Sequence, residues 1–141
     1  MRPGKFRFES ILTVYNNRED AVKQEIAGLE SEKKQLGVKA ERLLLESEEA
    51  KRSLGDEDRP CDAVSILKFI EGAMHWIEEA KQQEEVLEKA ILEKLDVLKE
   101  LRIERMRFEK LKEKHQEEIK YYIKMQEQKV TDEFSQRKKD S

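Results

Sequence analysis

The chain has 141 residues, 43% of them charged and 37% hydrophobic, with a formal net charge of −3. So much charge and so little apolar content exclude an ordinary globular domain, which carries roughly 25% charge and 45–50% apolar residues, and the balance of signs supplies no global field for nucleic acid or a membrane surface. A single cysteine, Cys61, excludes an internal disulfide, and the absence of an apolar run long enough for a span or of a signal-peptide pattern points to a soluble protein of the cytoplasmic type.

Disorder and long solvated helices both fit such a composition, and periodicity decides between them. Stepping four, three, four, three from Phe8 reaches Leu12, Tyr15, Glu19, Val22, Ile26, Leu29, Lys33, Leu36, Ala40, Leu43, Ser47, Ala50 and Leu54. Eleven of these fourteen positions are apolar. A mean spacing of 3.5 residues keeps one seam turned toward a partner helix over many turns, the signature of a coiled coil. The first helix is predicted over about residues 6–54, with Gly28 and Gly37 inside it each costing about 1 kcal/mol relative to alanine. Gly55 is expected as the left-handed residue that ends it.

Residues 55–61, Gly-Asp-Glu-Asp-Arg-Pro-Cys, form a polar turn with a helix breaker, and Asp62 is the expected N-cap of a second helix. That helix, about 62–137, repeats the seam through Ile66, Ile70, Ala73, Ile77, Ala80, Glu84, Leu87, Ile91, Lys94, Leu98, Leu101, Arg105 and Phe108, with ten of thirteen positions apolar. Farther on the stripe thins to Leu111, Ile119, Tyr122 and Met125. At 1.5 Å per residue the helices span roughly 70 and 110 Å. A short turn folds them back on each other, which sets Phe8 opposite roughly residue 108 and leaves the last thirty or so residues as an unpaired helix. The predicted fold is all-α: one coiled-coil domain over residues 1–141, an antiparallel hairpin whose second helix is longer and overhangs at its C-terminal end.

Catalysis finds no place in this pattern. A two-helix rod offers no concave pocket of the size small molecules need. His75 and His115 are too far apart on one helix to share a metal, and the pairs Glu78-Glu79, Glu84-Glu85 and Glu117-Glu118 diverge by about 100° around the axis. No P-loop, dinucleotide motif or HExxH pattern occurs; catalytic, cofactor and metal sites are all expected to be absent. Lysines and arginines alternate with glutamates at helical spacing, a solvated face rather than a nucleic-acid stripe.

Two features stand out from a solvated rod. Residues 66–77 are apolar almost all round, because Leu67, Phe69, Met74 and Trp76 lie outside the seam; they form either a thicker core covered by the turn or an exposed docking patch. Charge is also polarised. Residues 46–62 hold seven acids and three bases, whereas Arg2, Lys5 and Arg7 lie at the other end of the rod, where Arg105, Arg107, Lys110, Lys112 and Lys114 join them. The two ends are expected to prefer different partners.

The opening Phe6-Arg7-Phe8, the mid-chain polar turn, the segment Leu67-Lys68-Phe69-Ile70 and the tail Gln128-Lys129-Val130-Thr131-Asp132-Glu133-Phe134-Ser135-Gln136-Arg137 together resemble the flagellar export protein FliJ family of the type III export apparatus. The resemblance implies a stalk-like partner of the hexameric export ATPase, which also contacts the cytoplasmic domain of the membrane export gate protein and the chaperones of export substrates. On that likeness the ATPase-binding candidates are Phe6, Phe8, Arg105, Lys112, Asp132, Glu133, Phe134 and Arg137. The export-gate candidates are Leu67, Phe69, Met74 and Trp76. It further implies a monomeric hairpin when free, without membrane insertion or nucleic acid, recruited from the cytoplasm to the inner-membrane face at the flagellar base. Alternatives are the stalk of an injectisome-type system and a structural coiled-coil adaptor or homodimer unrelated to export.

Overall fold

The computed structural model describes residues 5–55 and 62–140. Its regular structure is two helices, α1 (Glu9–Ser53) and α2 (Asp62–Asp140), packed against each other, with no strand among the described residues. This is the expected all-α hairpin with a longer second helix.

Burial follows the 3.5-residue spacing closely. All fourteen seam positions from Phe8 to Leu54 are buried or half-buried, and within α1 only Ile11 and Gly37 join them. The thirteen positions from Ile66 to Phe108 on α2 behave the same way. Past Phe108 the expected stripe needs correction. Leu111 and Met125 are exposed, at 42% and 39%. The half-buried positions are Lys112, His115, Ile119 and Tyr122, with Glu109 beside them, an unbroken continuation of the four-three rhythm from Phe108. Geometry outweighs side-chain polarity here: a residue is covered because it faces the other strand, and Phe6, ahead of α1, prolongs that strand by packing on His115 with ring centroids 5.7 Å apart. The unpaired part of α2 is therefore shorter than thirty residues. Every described position from Ile123 to Asp140 is exposed.

The chain divides into two compact units, Met1–Ala21 with Leu98–Ser141, and Val22–Val97. The second unit is the plainer one. Val22, Ile26, Ala73, Ile77, Ala80, Leu87 and Ile91 form its buried core. Ser47 is fully covered and resolves its polarity locally, its hydroxyl donating to the Leu44 carbonyl at 2.9 Å. The seam lysines send their ammonium groups sideways out of the core: Lys94 to Glu25 at 2.7 Å, and Lys33 to Glu88. Their aliphatic stems stay in the seam while the charge remains wet. The hydrogen bond from Lys33 to Glu88 holds the Lys33 ammonium above the usual lysine range.

The helix ends differ in detail from expectation. α1 starts at Glu9 rather than near residue 6, because the Phe8 carbonyl accepts the first helical hydrogen bond, from the Leu12 N–H at 3.1 Å. Glu9 then lies in the first turn, where the helix dipole favours an acid. At the other end Gly55 does not adopt the left-handed conformation. Its N–H donates to the Arg52 carbonyl at 3.1 Å, a tightened last turn. A Cβ there would lie 3.3 Å from that same carbonyl oxygen, so glycine serves the close approach rather than a positive φ. The turn expected after it, residues 56–61 with Cys61, lies outside the described residues, as does the Asp62 side chain expected to cap α2.

Gly28 is exposed in the middle of α1, and a Cβ built on it meets nothing within 4 Å. Alanine there removes only the entropic penalty of glycine. Gly28→Ala should raise stability by about 1 kcal/mol, read as a higher midpoint in urea denaturation followed by circular dichroism, with an unchanged slope.

Candidate protein-binding surfaces

The first unit contains the densest side-chain chemistry. Phe8 meets Phe108 with ring centroids 5.4 Å apart, Tyr15 stacks on Phe108 at 5.7 Å and 28°, and Phe6 meets Phe8 edge-on at 5.8 Å. Phe6 also lies against His115. Ring pairs in stacked, tilted and edge-on arrangements contribute roughly 0.5–1.5 kcal/mol each beyond the area they cover. The cluster fastens a short non-helical segment, Phe6-Arg7-Phe8, onto α2. The Arg7 guanidinium sits 5.7 Å from the centre of the Phe8 ring. His115 Nε2 is buried without a hydrogen-bond partner among the described residues, so this histidine serves as a packing group.

One turn on, charge enters the seam. Glu19 is only 4% exposed, yet it carries a carboxylate. Arg105 donates to it through Nε, and Arg102 Nε lies 3.5 Å away. Arg105 Nη1 also donates to Glu109 at 2.6 Å. Those two carboxylates, Glu19 first, hold the guanidinium above its ordinary range. Lys112 reaches Glu9 at 3.1 Å. Of the ATPase-binding candidates in this unit, Phe6 and Phe8 are half-buried in the aromatic cluster, and Arg105 and Lys112 are engaged by carboxylates of the chain itself.

The tail candidates are placed otherwise. Asp132, Glu133, Phe134 and Arg137 all lie in the exposed stretch of α2, and Phe134 is 66% exposed. Phe134 does not stand alone. Ile123 and Val130, exposed at 50% and 65%, share its side of the helix with half-buried Ile119. Ile119, Ile123, Val130 and Phe134 follow one another by steps of four, seven and four. The apolar stripe thus turns off the seam after Ile119, taking exposed Ile123 where the seam takes half-buried Tyr122. The four-three count along the seam passes through Tyr122 and so misses Ile123 and Val130, which lie seven residues apart.

In the second unit the gate candidates divide. Leu67 and Phe69 are exposed, at 55% and 42%, while Met74 and Trp76 are half-buried. Trp76 lines a groove of about 470 Å³ with Leu36, Ala80 and Val86, rimmed by Glu79, Gln82 and Gln83. Lys39 Nζ covers the indole at 4.6 Å, a cation–π contact that keeps one face of the ring occupied. Leu36 and Val86 were not among the sequence candidates; the first was assigned to the seam and the second lies one turn past Gln82.

No cluster among the described residues could hold a metal ion. His75 is exposed and pairs with Glu79 one turn along, at 3.1 Å. Among the described residues no helix is long and apolar enough to cross a membrane.

The aromatic cluster and the corrected stripe give a paired test. Phe108→Ala removes the ring that both Phe8 and Tyr15 touch and should cost roughly 2–4 kcal/mol. Leu111→Ala, three residues on at an exposed position, should stay within about 0.5 kcal/mol of the natural chain. Urea denaturation of the two variants separates them.

The chain matches the family model of the flagellar FliJ protein over residues 4–139. No curated protein and no solved structure matches it. The match takes in the Phe6–Phe8 segment, both seams and the exposed tail. This chain belongs to the flagellar FliJ protein family and is thereby a non-catalytic component of the flagellar export apparatus.

Proposed function

We propose that the chain is a stalk-like subunit that binds the hexameric export ATPase through its first unit and tail, and the cytoplasmic domain of the export gate through the Leu67–Trp76 segment. The observation that carries this reading is the helix from Ile123 to Asp140. It is exposed throughout and displays Ile123, Val130 and Phe134 on one side. An isolated helix gains little from its own hydrogen bonds, and large apolar side chains held in water on one face suit a protein partner.

The ATPase contact is led by Phe134 with Asp132, Glu133 and Arg137, and by the Phe6–Phe8 segment. Arg105 and Lys112 contribute less directly, since Glu19, Glu109 and Glu9 already hold them. The mechanism is mechanical. A hexameric ring has equivalent sites, and one asymmetric helix bundle touching it favours one arrangement of subunits through unequal contacts. The chain performs no chemistry in that process. Leu67 and Phe69 supply the exposed apolar anchors for the gate, with the Trp76 groove beside them, and export chaperones form a third class of partner. Recruitment to the membrane face at the flagellar base follows from these contacts and needs no membrane-inserted segment.

The test is ATP hydrolysis by the cognate export ATPase with and without the chain. Stimulation by the full chain should fall to the unstimulated rate for a truncation ending at Tyr122, and about tenfold more Phe134→Ala variant should be needed for the same effect, as expected for loss of one buried aromatic anchor. Phe69→Ala should leave stimulation intact and weaken binding to the gate domain. Absence of both stimulation and complex formation, from a helical and monomeric sample, would overturn the ATPase role.

A further inference from the structure

In an antiparallel helix pair held together by an apolar seam, sliding one helix by a heptad replaces one set of apolar contacts with another of similar quality. The short connection between Ser53 and Asp62 limits how far such a slide can go; within that limit, register must come from something the slipped arrangement cannot satisfy. The Glu19–Arg105 layer has that property. Both residues occupy seam positions, Glu19 is 4% exposed, and Arg105 donates to Glu19 and Glu109 together. Two other seam charges are less demanding. Lys33 and Lys94 reach partners on the rim that are about half exposed, Glu88 at 46% and Glu25 at 52%.

We propose that the Glu19–Arg105 layer is the register lock of the hairpin, and that it thereby fixes how much of α2 is left unpaired. The contacts Glu19–Arg105 and Tyr15–Phe108 define the layers, and the next one joins Leu12 with Lys112, which line the same groove. A slip of one heptad in one direction sets Glu19 against Leu98 and Arg105 against Leu12, burying both charges on leucine. The opposite slip offers Glu19 the Lys112 ammonium but sets Arg105 on Ile26. A buried charge stripped of its partner is strongly penalised, whereas a seam of leucines is indifferent to the shift. Each slip would lengthen or shorten the exposed tail by about seven residues, one heptad, and carry Ile123, Val130 and Phe134 with it relative to Phe6 and Phe8. The lock thus holds two sets of candidate ATPase contacts at one offset.

Replacing both members by leucine, Glu19→Leu with Arg105→Leu, removes the discrimination while preserving an apolar seam. Cysteine pairs in a Cys61→Ser background read the register after equilibration in a thiol–disulfide buffer, with intramolecular bridges scored by mass. Leu12→Cys with Lys112→Cys reports the native register. Val22→Cys with Lys94→Cys and Leu12→Cys with Ile119→Cys report the two slips, because residues two turns out of register are too far apart to bridge. With Glu19 and Arg105 in place only the native pair should oxidise. In the leucine variant helix content should be retained, and at least one slipped pair should oxidise as well. If the slipped pairs stay reduced in that variant, register comes from elsewhere and the proposal fails. If the variant loses its helix content, the layer is needed for folding rather than for choosing among registers, and the proposal fails equally. Neither result depends on the ATPase, so the outcome is separable from the export reading.

Discussion

Two helices in contact can each bury one stripe, and that single constraint organises the whole chain. With 43% of its residues charged, the sequence has no second apolar face to spare along most of its length. A position facing the partner strand is covered whatever its side chain, which is why Glu19, Lys33, Ser47, Lys94, Arg105 and Lys112 are all buried or half-buried. Each then needs its own solution. Ser47 turns its hydroxyl onto the Leu44 carbonyl, the lysines bend out to rim carboxylates, and Glu19 takes two arginines. The first solution needs only the local backbone. The second depends on half-exposed pairs that water would replace at little cost. The third is specific to one alignment of the helices.

The same constraint identifies what is surplus. Apolar side chains off the seam gain nothing from the hairpin, so a concentration of them needs another cause. Leu67 and Phe69 form one such concentration in the second unit. Ile123, Val130 and Phe134 form another, exposed on one side of α2 beyond the last half-buried seam position.

Much of the fold was legible in the sequence because the signal is periodic and long. Twenty-seven seam positions could be written down from Phe8 and Ile66 by counting alone, and all of them are at least half-covered. Counting failed where composition was allowed to overrule it. Apolarity points to Leu111 and Met125, which lie on the exposed side, whereas the four-three count from Phe108 points to Lys112 and His115, which are half-buried. The Phe6–His115 contact was invisible for the related reason that Phe6 belongs to no helix. Gly55 misled because glycine is permissive: its residue type allows a left-handed cap, but the close Arg52 carbonyl explains it equally well. At the candidate surfaces the sequence supplied the exposed residues Leu67, Phe69 and Phe134. It could not say that Arg105 and Lys112 are already occupied, since an ion pair between residues 86 apart, such as Arg105 with Glu19, depends on the register of the finished hairpin.

That occupancy bears on the proposed contact with the ATPase. Basic residues without internal partners would attract an acidic protein from a distance and hold it loosely. Here Arg105 and Lys112, the cations nearest Phe108 on the seam, are engaged in internal alignment. On the proposed reading the leading group of the tail is the Phe134 ring, which acts only in contact, with exposed Asp132, Glu133 and Arg137 beside it. Contact recognition by a few anchors demands that their spacing be kept. Between Phe8 and Phe134 that spacing is set by two things: the rise of α2, which is fixed, and the alignment of α1 on it, which an apolar seam alone would leave degenerate. A buried carboxylate with two arginines is a poor way to stabilise a helix pair and an effective way to align one. Its presence beside the aromatic cluster is what the proposed stalk, working through fixed geometry, requires.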